Sequence, residues 1–258
     1  MAFYSDHTFA IPAYGDSPFL EDCIKSLKAQ TLKSNIIIAT STPSEFIENL
    51  SKKYDIPLFI NEKSYGIGND WNFAVSKTKT NLVTVAPQED TYLEDYLENI
   101  VSAFKKSKNP ILLFTNYSEI VDGSPIENRR NLKIKRLISL RFNNKLFGNK
   151  KWFKRSLLSI GCPIGCPTVT LQTEIVGKTP YISDYLFVLD WLTWEKLSKL
   201  KGKFVFIDKI LMLHRRHEDA ATSKYLKNDV REKEDLEVLG KFWWKPVAKL
   251  IQKFFAKA

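Results

Sequence analysis

The sequence predicts an α/β protein with a mostly parallel central sheet that is covered by helices on both faces. Five short apolar runs have the length and composition of buried strands, and amphipathic segments of helical periodicity lie between them. Strands that alternate with helices pair in parallel, because each helix returns the chain to the starting edge of the sheet. With 258 residues, 44% of them apolar, the chain can bury one large core.

The regular alternation occupies the first half of the chain. Its strands are predicted at residues 8–11, 35–39, 57–60, 82–86 and 111–115, and its helices at residues 17–30, 43–53 and 93–106. Ser17 and Thr42 are suited to cap the first two helices. Ligands of such sheets bind beyond the carboxyl ends of the strands. We therefore expect the site in the loops at residues 12–16, 40–43, 61–69 and 87–91.

The second half is less regular. It contains the sequence GCPIGCPTVTLQ, a predicted helix over about residues 184–200 with Asp184 as its cap, and a strand-like run at residues 203–213. Cys162 and Cys166 are expected to line a pocket, since the 3 cysteines and 3 histidines of the chain favour neither zinc nor a disulfide framework. Neither a membrane span nor a signal-peptide pattern is present, so we expect a cytoplasmic protein.

Positive charge is concentrated in two segments. Residues 129–155 hold eleven Lys and Arg and no acid, residues 240–258 hold five Lys and no acid, and the rest has 23 basic and 29 acidic residues. This distribution predicts local contact with anionic partners and not a generally basic protein. An ordinary solvated loop is the alternative for the first segment.

Three polar residues, Gln88, Glu89 and Asp90, follow the fourth predicted strand at the edge of the crevice. A carboxylate at this position is suited to hold Mn²⁺ or Mg²⁺ beside phosphate oxygens. An acidic turn that caps the next helix explains Glu89 and Asp90 about as well, but the position at the crevice favours the metal.

The sequence GIGNDWNFAV, residues 66–75, follows the third predicted strand. Its two glycines would let the loop approach a nucleotide closely. We reject binding of NAD, because the third glycine of the dinucleotide fingerprint is missing and the strand is not the first. An ordinary loop that opens a short helix, with Asn69 or Asp70 as its cap, is the alternative.

Asp190 interrupts the apolar helical run YLFVLDWLTW. A carboxylate there is costly to desolvate unless it is paired or faces a polar cavity, which makes Asp190 a candidate general base. Trp191 and Trp194 flank it, and their ring faces suit the apolar faces of sugars, with core packing as the alternative.

The sequence LMLHRRHEDAATS, residues 211–223, places two histidines and two arginines just past a predicted strand. A guanidinium matches the geometry of phosphate, and a neutral imidazole can bind a metal. The segment therefore predicts recognition of a diphosphate, and a basic surface turn is the alternative.

Taken in this order, these segments and the opening FAIPAYGDSPFLEDCIKSLKAQT resemble the family 2 glycosyltransferases of the GT-A fold. The segments that carry the later motifs are APQEDTY, VLDWLTW and the Arg-x-His motif at residues 215–217, and the resemblance covers nearly the whole chain. It implies Asp90 and His217 as metal ligands for Mn²⁺ or Mg²⁺, Asp190 as catalytic base and Arg215 near the diphosphate.

The resemblance also implies an inverting transfer of a hexose from a nucleotide-sugar donor to a glycan or lipid-linked acceptor, as in the assembly of cell-surface polysaccharides. The catalytic domain is expected over residues 1–225, with a donor half at 1–120 and an acceptor half at 121–225, before a helical tail at 226–258. The implied donor-binding residues are Pro12, Ala13, Tyr14, Thr40, Gly68, Asn72, Gln88, Glu89 and Arg215. The implied acceptor-binding residues are Trp191, Trp194, Gly165 and Cys166.

One departure concerns the nucleobase. Many members have an acidic pair after the second strand, whereas this chain has Ala39-Thr40-Ser41-Thr42, whose hydroxyls remain suited to a uracil or thymine edge. Among the donors that the resemblance implies, a UDP-sugar is favoured. A nucleotidyltransferase is one alternative, but the loop PAYGDS lacks the Gly-rich basic pattern of that class. A nucleic-acid-binding protein would leave Asp90 and Asp190 without a role, so no nucleic acid partner is expected.

The tail sequence GKFWWKPVAKLIQKFFAKA predicts a basic amphipathic helix that starts near Pro246. Such a helix either lies in an anionic membrane interface or docks on the catalytic core and exposes its lysines. In the first case residues 129–155 would share the same membrane surface, and the protein would be peripheral on the inner face of the membrane.

Overall fold

The computed structural model describes residues 2–63, 66–121, 124–126, 130–215 and 230–255. Within these ranges the chain forms one sheet of nine strands with helices packed on both faces. The strands are β1 (Phe3–Ala13), β2 (Lys33–Thr40), β3 (Leu58–Ile60), β4 (Leu82–Val85), β5 (Thr91–Tyr92), β6 (Pro110–Val121), β7 (Ser124–Ile126), β8 (Val169–Gln172) and β9 (Lys203–Arg215). The helices are α1 (Leu20–Lys28), α2 (Glu45–Tyr54), α3 (Ile67–Ser76), α4 (Tyr96–Lys106), α5 (Arg130–Leu140), α6 (Lys151–Leu158), α7 (Thr173–Val176), α8 (Leu189–Ser198), α9 (Val230–Gly240) and α10 (Lys245–Phe255).

The sheet is parallel in its first half and mixed in its second. β1 pairs in parallel with β2 and β4, and β3 extends the sheet beyond β2. β8 then runs antiparallel between β4 and β6, and the order across the sheet is β3-β2-β1-β4-β8-β6-β9-β5. The predicted α/β fold is confirmed, and all five predicted strands are present. The antiparallel strands β5, β7 and β8 were not predicted.

Alternate side chains of β1 pack into two separate hydrophobic cores. Phe9 and Ile11 face the core formed with α1, α2 and α4, whereas Ala10 faces the core formed with α3, α6 and α8. This is the period-2 pattern of a strand that is buried on both faces. The tail helices join the second core through Val238 and Ala248, which are buried.

All four predicted helices begin later than predicted. α1 begins at Leu20 with Phe19 at its N-cap, so Ser17 does not cap it, and α4 begins at Tyr96. α2 begins behind Ser44, whose Oγ accepts the Ile47 N–H at 3.3 Å, and Thr42 does not cap it. α8 begins at Leu189, so Asp184 is not its cap either. The residues before α8 instead form an irregular segment that is held by a carboxylate from the tail, as described below.

The basic segment at residues 129–155 is largely helical, contrary to the alternative of a simple solvated loop. It forms α5 and most of α6, and Lys154 of α6 is buried, where its Nζ donates to Leu200 O and Gly202 O at 2.7 Å each. Burial lowers the pKa of Lys154 to about 8. This contact ties α6 to the end of α8.

Candidate active site

The loops that follow β1, β2 and β4 are joined by hydrogen bonds at one edge of the sheet. The Tyr14 N–H donates to Gln88 Oε1 at 3.0 Å, and Gln88 Nε2 donates back to Tyr14 O at 2.8 Å. The Gly15 N–H donates to Thr42 Oγ1 at 2.7 Å, with Gly15 in the left-handed region at a φ of 59°. Three of the loops expected to form the site therefore do come together.

Other residues predicted to bind the donor lie at the same edge. Pro12 and Ala13 end β1, and Ala13 is the register partner of Thr40 on β2. The hydroxyl of Thr40 is buried and accepts the Thr42 N–H at 3.0 Å. The ring of Tyr14 is 62% exposed, so its face is open to a ligand in the crevice.

Asp90 is buried where the end of β9 meets the loop after β4. Its Oδ1 lies 2.8 Å from His214 Nδ1 and accepts the Arg215 N–H at 3.1 Å. Burial alone lowers the pKa of His214, but the charge and hydrogen bond of Asp90 and the charge of Glu119 outweigh it and raise that pKa. His214 is a residue that the sequence analysis did not single out by itself.

Arg215 brings a positive charge to this cluster. Its Nε donates to the Glu89 carbonyl at 3.2 Å, and its guanidinium lies 4.2 Å from the centre of the Phe19 ring. Its Nη2 is 3.8 Å from Asp22 Oδ2 on α1. The guanidinium is thus held between the loops after β1 and β4, where a diphosphate would be expected.

The residues present fit a site for a divalent cation that the protein and the phosphates of a nucleotide bind together. Such cations are commonly held by one or two carboxylates plus phosphate oxygens, and Asp90 supplies a buried carboxylate. In the part of the chain that the structure describes, no group of three potential metal-binding side chains occurs. His217, the second predicted ligand, lies outside the described residues.

Asp190 lies in the first turn of α8 and is half-buried. Its Oδ1 accepts the Trp191 N–H at 2.7 Å, and its Oδ2 lies 4.0 Å from Cys162 Sγ. Burial raises the pKa of Asp190, opposed by the Trp191 N–H and by the positive charge of Lys135. A carboxylate with a raised pKa is a stronger base than an ordinary aspartate.

The segment before Asp190 is fixed by Glu234, a buried residue of α9. Glu234 Oε1 accepts the Leu186 N–H at 3.0 Å, and Oε2 accepts the N–H groups of Phe187 and Val188 at 2.8 Å and 3.3 Å. These amides lie just before the first turn of α8, where backbone N–H groups lack helical partners. A carboxylate 46 positions away in sequence thus holds the segment that leads into α8, whereas Asp184 was predicted to cap the helix locally.

Lys135, Gly165 and Cys166 lie between Asp190 and the Asp90 cluster. Lys135 Nζ is 3.2 Å from Tyr117 Oη, and the Tyr117 ring contacts the His214 ring at 6.3 Å between centres. A side chain at Gly165 would collide with the Tyr117 ring, because an added Cβ would lie 2.9 Å from it. Burial, and then the charges of Asp190, Cys162 and Asp90, raise the pKa of the Cys166 thiol.

Two acceptor-binding predictions need correction. Trp194 is fully buried and Trp191 is 7% exposed, with Trp191 Nε1 donating to Leu158 O at 2.8 Å. Both rings pack in the core formed with α6 and α8, so neither presents a face to a sugar. The core-packing alternative is the correct one for this pair.

Two donor-binding predictions also need correction. Asn72 donates to Tyr181 O and accepts the Tyr181 N–H, both at 2.9 Å, so its amide is already satisfied. An added Cβ at Gly68 would lie 2.6 Å from Ile182 O. Both residues therefore contact the segment that leads to α8, and these contacts take the place of the predicted contacts with the donor.

The two basic segments are in contact. Arg155 Nη2 donates to Lys241 O at 2.8 Å, its guanidinium lies 5.0 Å from the centre of the Phe242 ring, and Trp243 Nε1 donates to Ser159 O at 2.7 Å. Both segments expose large apolar side chains. They include Leu137, Leu146, Phe147, Trp152, Trp244 and Leu250, which are between 43% and 75% exposed. None of the described helices is long and apolar enough to cross a membrane.

Comparison with known families identifies the chemistry. The chain matches the family described as glycosyl transferase family 2 over residues 8–166, which include the crevice loops and Asp90. The chain belongs to this family. It is therefore a glycosyltransferase, as the resemblance implied.

Solved glycosyltransferases share the GT-A fold with this one. Residues 1–349 of Staphylococcus aureus TarS, solved with UDP-GlcNAc, match with a TM-score of 0.65 and 14% identity over 99% of this chain and 72% of that chain. A Pyrobaculum calidifontis mannosyltransferase with GDP-Man and Mn²⁺ gives 0.63 and 11% over 92% and 63%. Mycobacterium tuberculosis glucosyl-3-phosphoglycerate synthase with Mn²⁺ and UDP-Glc gives 0.61 and 13% over 91% and 79%. A comparison with curated protein sequences found no significant match.

Proposed function

We propose that this glycosyltransferase transfers a hexose, with inversion, from a nucleotide-diphosphate sugar to a hydroxyl of a glycan, glycolipid or glycoprotein. UDP-sugars are the favoured donors. The observation that carries the proposal is the cluster of Asp90, His214 and Arg215 beside the joined loops of Tyr14 and Gln88. It combines a carboxylate for a cation, a guanidinium for phosphate and an exposed aromatic ring at one edge of the sheet.

The donor diphosphate would lie between Arg215 and Asp90. Pro12, Ala13 and Thr40 would line the nucleoside, and Gln88 and Glu89 would shape the loop beneath the phosphates. Asp90, together with His217, would hold Mn²⁺ or Mg²⁺, a choice supported by the Mn²⁺ in two of the related structures. When bound, the cation would neutralise charge on the leaving diphosphate. His214 would orient Asp90, as groups that contact metal ligands commonly do.

The transfer would be a single displacement. The acceptor oxygen forms a bond to the anomeric carbon, the bond from that carbon to the diphosphate oxygen breaks, and the nucleoside diphosphate leaves with the electron pair. Asp190 accepts the proton of the acceptor hydroxyl, and Arg215 stabilises the charge that develops on the diphosphate. Gly165 and Cys166, near Asp190, would contact the acceptor.

The test is a screen of UDP-, GDP- and dTDP-sugars with Mn²⁺, read first as thermal stabilisation and then as sugar transfer or donor hydrolysis. A ligand that binds only the folded state raises the melting temperature in proportion to its occupancy. Asp90→Asn and addition of a chelator should each remove nearly all turnover. Stabilisation by no sugar nucleotide, or full turnover of Asp90→Asn with chelator present, would contradict the proposal.

We also propose that the enzyme works at the inner face of an anionic membrane, on a lipid-linked acceptor of cell-surface polysaccharide. The support is the contact between the two basic segments, which places exposed lysines beside exposed Trp152, Trp244 and Leu250. Apolar side chains can enter the acyl region while lysines contact anionic headgroups. Ala248 on the other side of α10 is buried in the core, so this helix has one docked and one open side.

Co-sedimentation with vesicles of anionic and of neutral lipid tests this location. The Trp244→Ser/Leu250→Ser double variant should bind anionic vesicles roughly tenfold more weakly, because it removes apolar area that the bilayer would cover. Phe3→Ser, which alters a similarly exposed residue at the start of β1, is the control. Equal binding by the wild type and the double variant, or no binding of the wild type at low salt, would exclude a membrane role for this surface.

A further inference from the structure

The ends of β2 and β3 hold an acid that the mechanism above does not use. Asp70 lies in the first turn of α3 and interacts with the side chains of Ser41 and Asn61. Asp70 Oδ1 and Ser41 Oγ are both buried, and neither makes a hydrogen bond of good geometry with a described residue. Since buried polar atoms in native proteins are nearly always satisfied, this pair indicates a ligand group that completes them.

The position of Asp70 is that of the donor site. Ala13, Thr40 and Ile60 lie side by side at the carboxyl ends of β1, β2 and β3. Asn61 follows this row, and its N–H donates to Thr40 O at 2.7 Å. The same row reaches the diphosphate side through the Gly15 contact with Thr42. In α/β sheets a nucleotide lies across this edge.

A carboxylate and a hydroxyl side by side match one kind of nucleobase edge. An ionised carboxylate only accepts hydrogen bonds, whereas a hydroxyl both donates and accepts. Uracil presents a ring N3–H between two carbonyl oxygens, so its N3–H suits the carboxylate and an adjacent carbonyl suits the hydroxyl. Cytosine carries a lone pair at N3 in place of this N–H, so a carboxylate that faces ring position 3 would be repelled by it and would select uracil.

We propose that Asp70 and Ser41 read the uracil edge of the donor, with Asp70 accepting the N3–H. This inference rests on the proposed function, and it names the residue that selects the base. Asp70 on α3 supplies the carboxylate that the sequence Ala39-Thr40-Ser41-Thr42 does not provide after β2. The choice of nucleotide then depends on a residue that is distant in sequence from the usual acidic pair.

The test is calorimetric binding of UDP and CDP, with Mn²⁺, to the full chain and to Asp70→Asn. The wild type should prefer UDP. In the variant, the asparagine amide can donate to N3 of cytosine and its carbonyl can accept from the amino group, so UDP should weaken about tenfold or more and CDP should strengthen. Glu45→Gln, which changes an exposed acid in the first turn of α2, should leave both affinities unchanged.

The outcomes separate this inference from the proposed function. Binding of no nucleotide by the wild type would contradict both, whereas a wild type that binds UDP and a variant with unchanged preference would overturn only the role of Asp70. Preference of the wild type for CDP would overturn it as well. If Asp70→Asn does not fold, Ser41→Ala serves instead, with an expected few-fold loss of UDP affinity and none for CDP.

Discussion

The donor half and the acceptor half of the molecule position their functional residues by different means. In the donor half each residue follows its own strand by a few positions, and neighbouring loops hold one another, as Tyr14 and Gln88 do. In the acceptor half Asp190 begins a helix whose preceding amides are held by Glu234 from the tail. The proposed donor site is therefore built into the sheet, whereas the position of the proposed base, Asp190, depends on a distant helix.

This difference implies that donor binding and transfer can be separated experimentally. Changes in α8 or α9 should alter the transfer step and leave the donor affinity intact. The reason is that, among the described residues, the hydrogen bonds of Glu234 and Asp190 do not reach the loops of Tyr14 and Gln88. The three predictions below test that separation, in order of decreasing effect.

Asp190→Asn should have the largest effect on transfer. General-base help is worth roughly 10² to 10⁴ in rate, and an amide cannot accept the acceptor's proton. We expect kcat to fall by about that factor while the Kd of the donor nucleotide stays unchanged. Calorimetry for donor binding and single-turnover assays for transfer measure the two quantities. A collapse of donor affinity would show that Asp190 supports the donor site instead.

Glu234→Gln should have an intermediate effect. Both carboxylate oxygens accept backbone N–H groups, and glutamine can replace only one of them, so its NH₂ would face an amide donor. We expect kcat to fall about tenfold through misplacement of Asp190. Loss of a hydrogen bond to this segment costs about 1 kcal/mol, which lowers the melting temperature by about 2–4 °C.

The matched control is Glu237→Gln on the next turn of the same helix. Glu237 is exposed and accepts the Tyr185 hydroxyl, so it also joins α9 to the segment before α8. The kcat of Glu237→Gln should stay near that of the wild type. The KM of the donor should be unchanged in both Glu237→Gln and Glu234→Gln. Equal losses in the two variants would mean that Glu234 only attaches the tail.

Lys135→Met should have the smallest effect and act through pH. Asp190 accepts a proton only when ionised, so transfer is lost as pH falls through its pKa. Burial raises that pKa and the positive charge of Lys135 lowers it, so removal of the charge should raise it further. The acid limb of kcat should therefore move to higher pH, with a few-fold loss at low pH and little change on the plateau.

Lys133→Met, on an exposed position of the same helix, is the control for this shift. It removes the same formal charge from α5 and leaves the contact between Lys135 and Tyr117 in place. An acid limb that moves equally in both variants would indicate a general effect of net charge. Movement toward lower pH in Lys135→Met would contradict the assigned coupling between Lys135 and Asp190.

Local patterns in the sequence were sufficient for the donor half. Short apolar runs at residues 8–11, 35–39 and 82–86 form β1, β2 and β4, because strands buried on both faces need a continuous apolar run. The polar residues directly after such strands reach the crevice by chain geometry alone. That is why Tyr14, Gln88 and Asp90 could be placed at one edge before their contacts were known.

Contacts between distant residues decided the rest. The residues of α8 are apolar around most of the helix, so periodicity does not show which side meets the core; Trp191 and Trp194 were expected at a surface and are buried. Antiparallel β5 and β8 are short and gain their stability from the strands beside them, which a local pattern does not report.

By itself the sequence determined the α/β class, the family and the edge of the sheet where Asp90 lies, because each of these depends on residues that are neighbours along the chain. Only the tertiary structure decided that His214 contacts Asp90 and that Asp70 lies at the ends of β2 and β3. It also decided that Glu234 binds the segment just before Asp190, the proposed general base. The longest of these pairings, that of His214 with Asp90, joins residues 124 positions apart. Their partners are chosen by the packing of whole helices and strands, and no single segment carries that information.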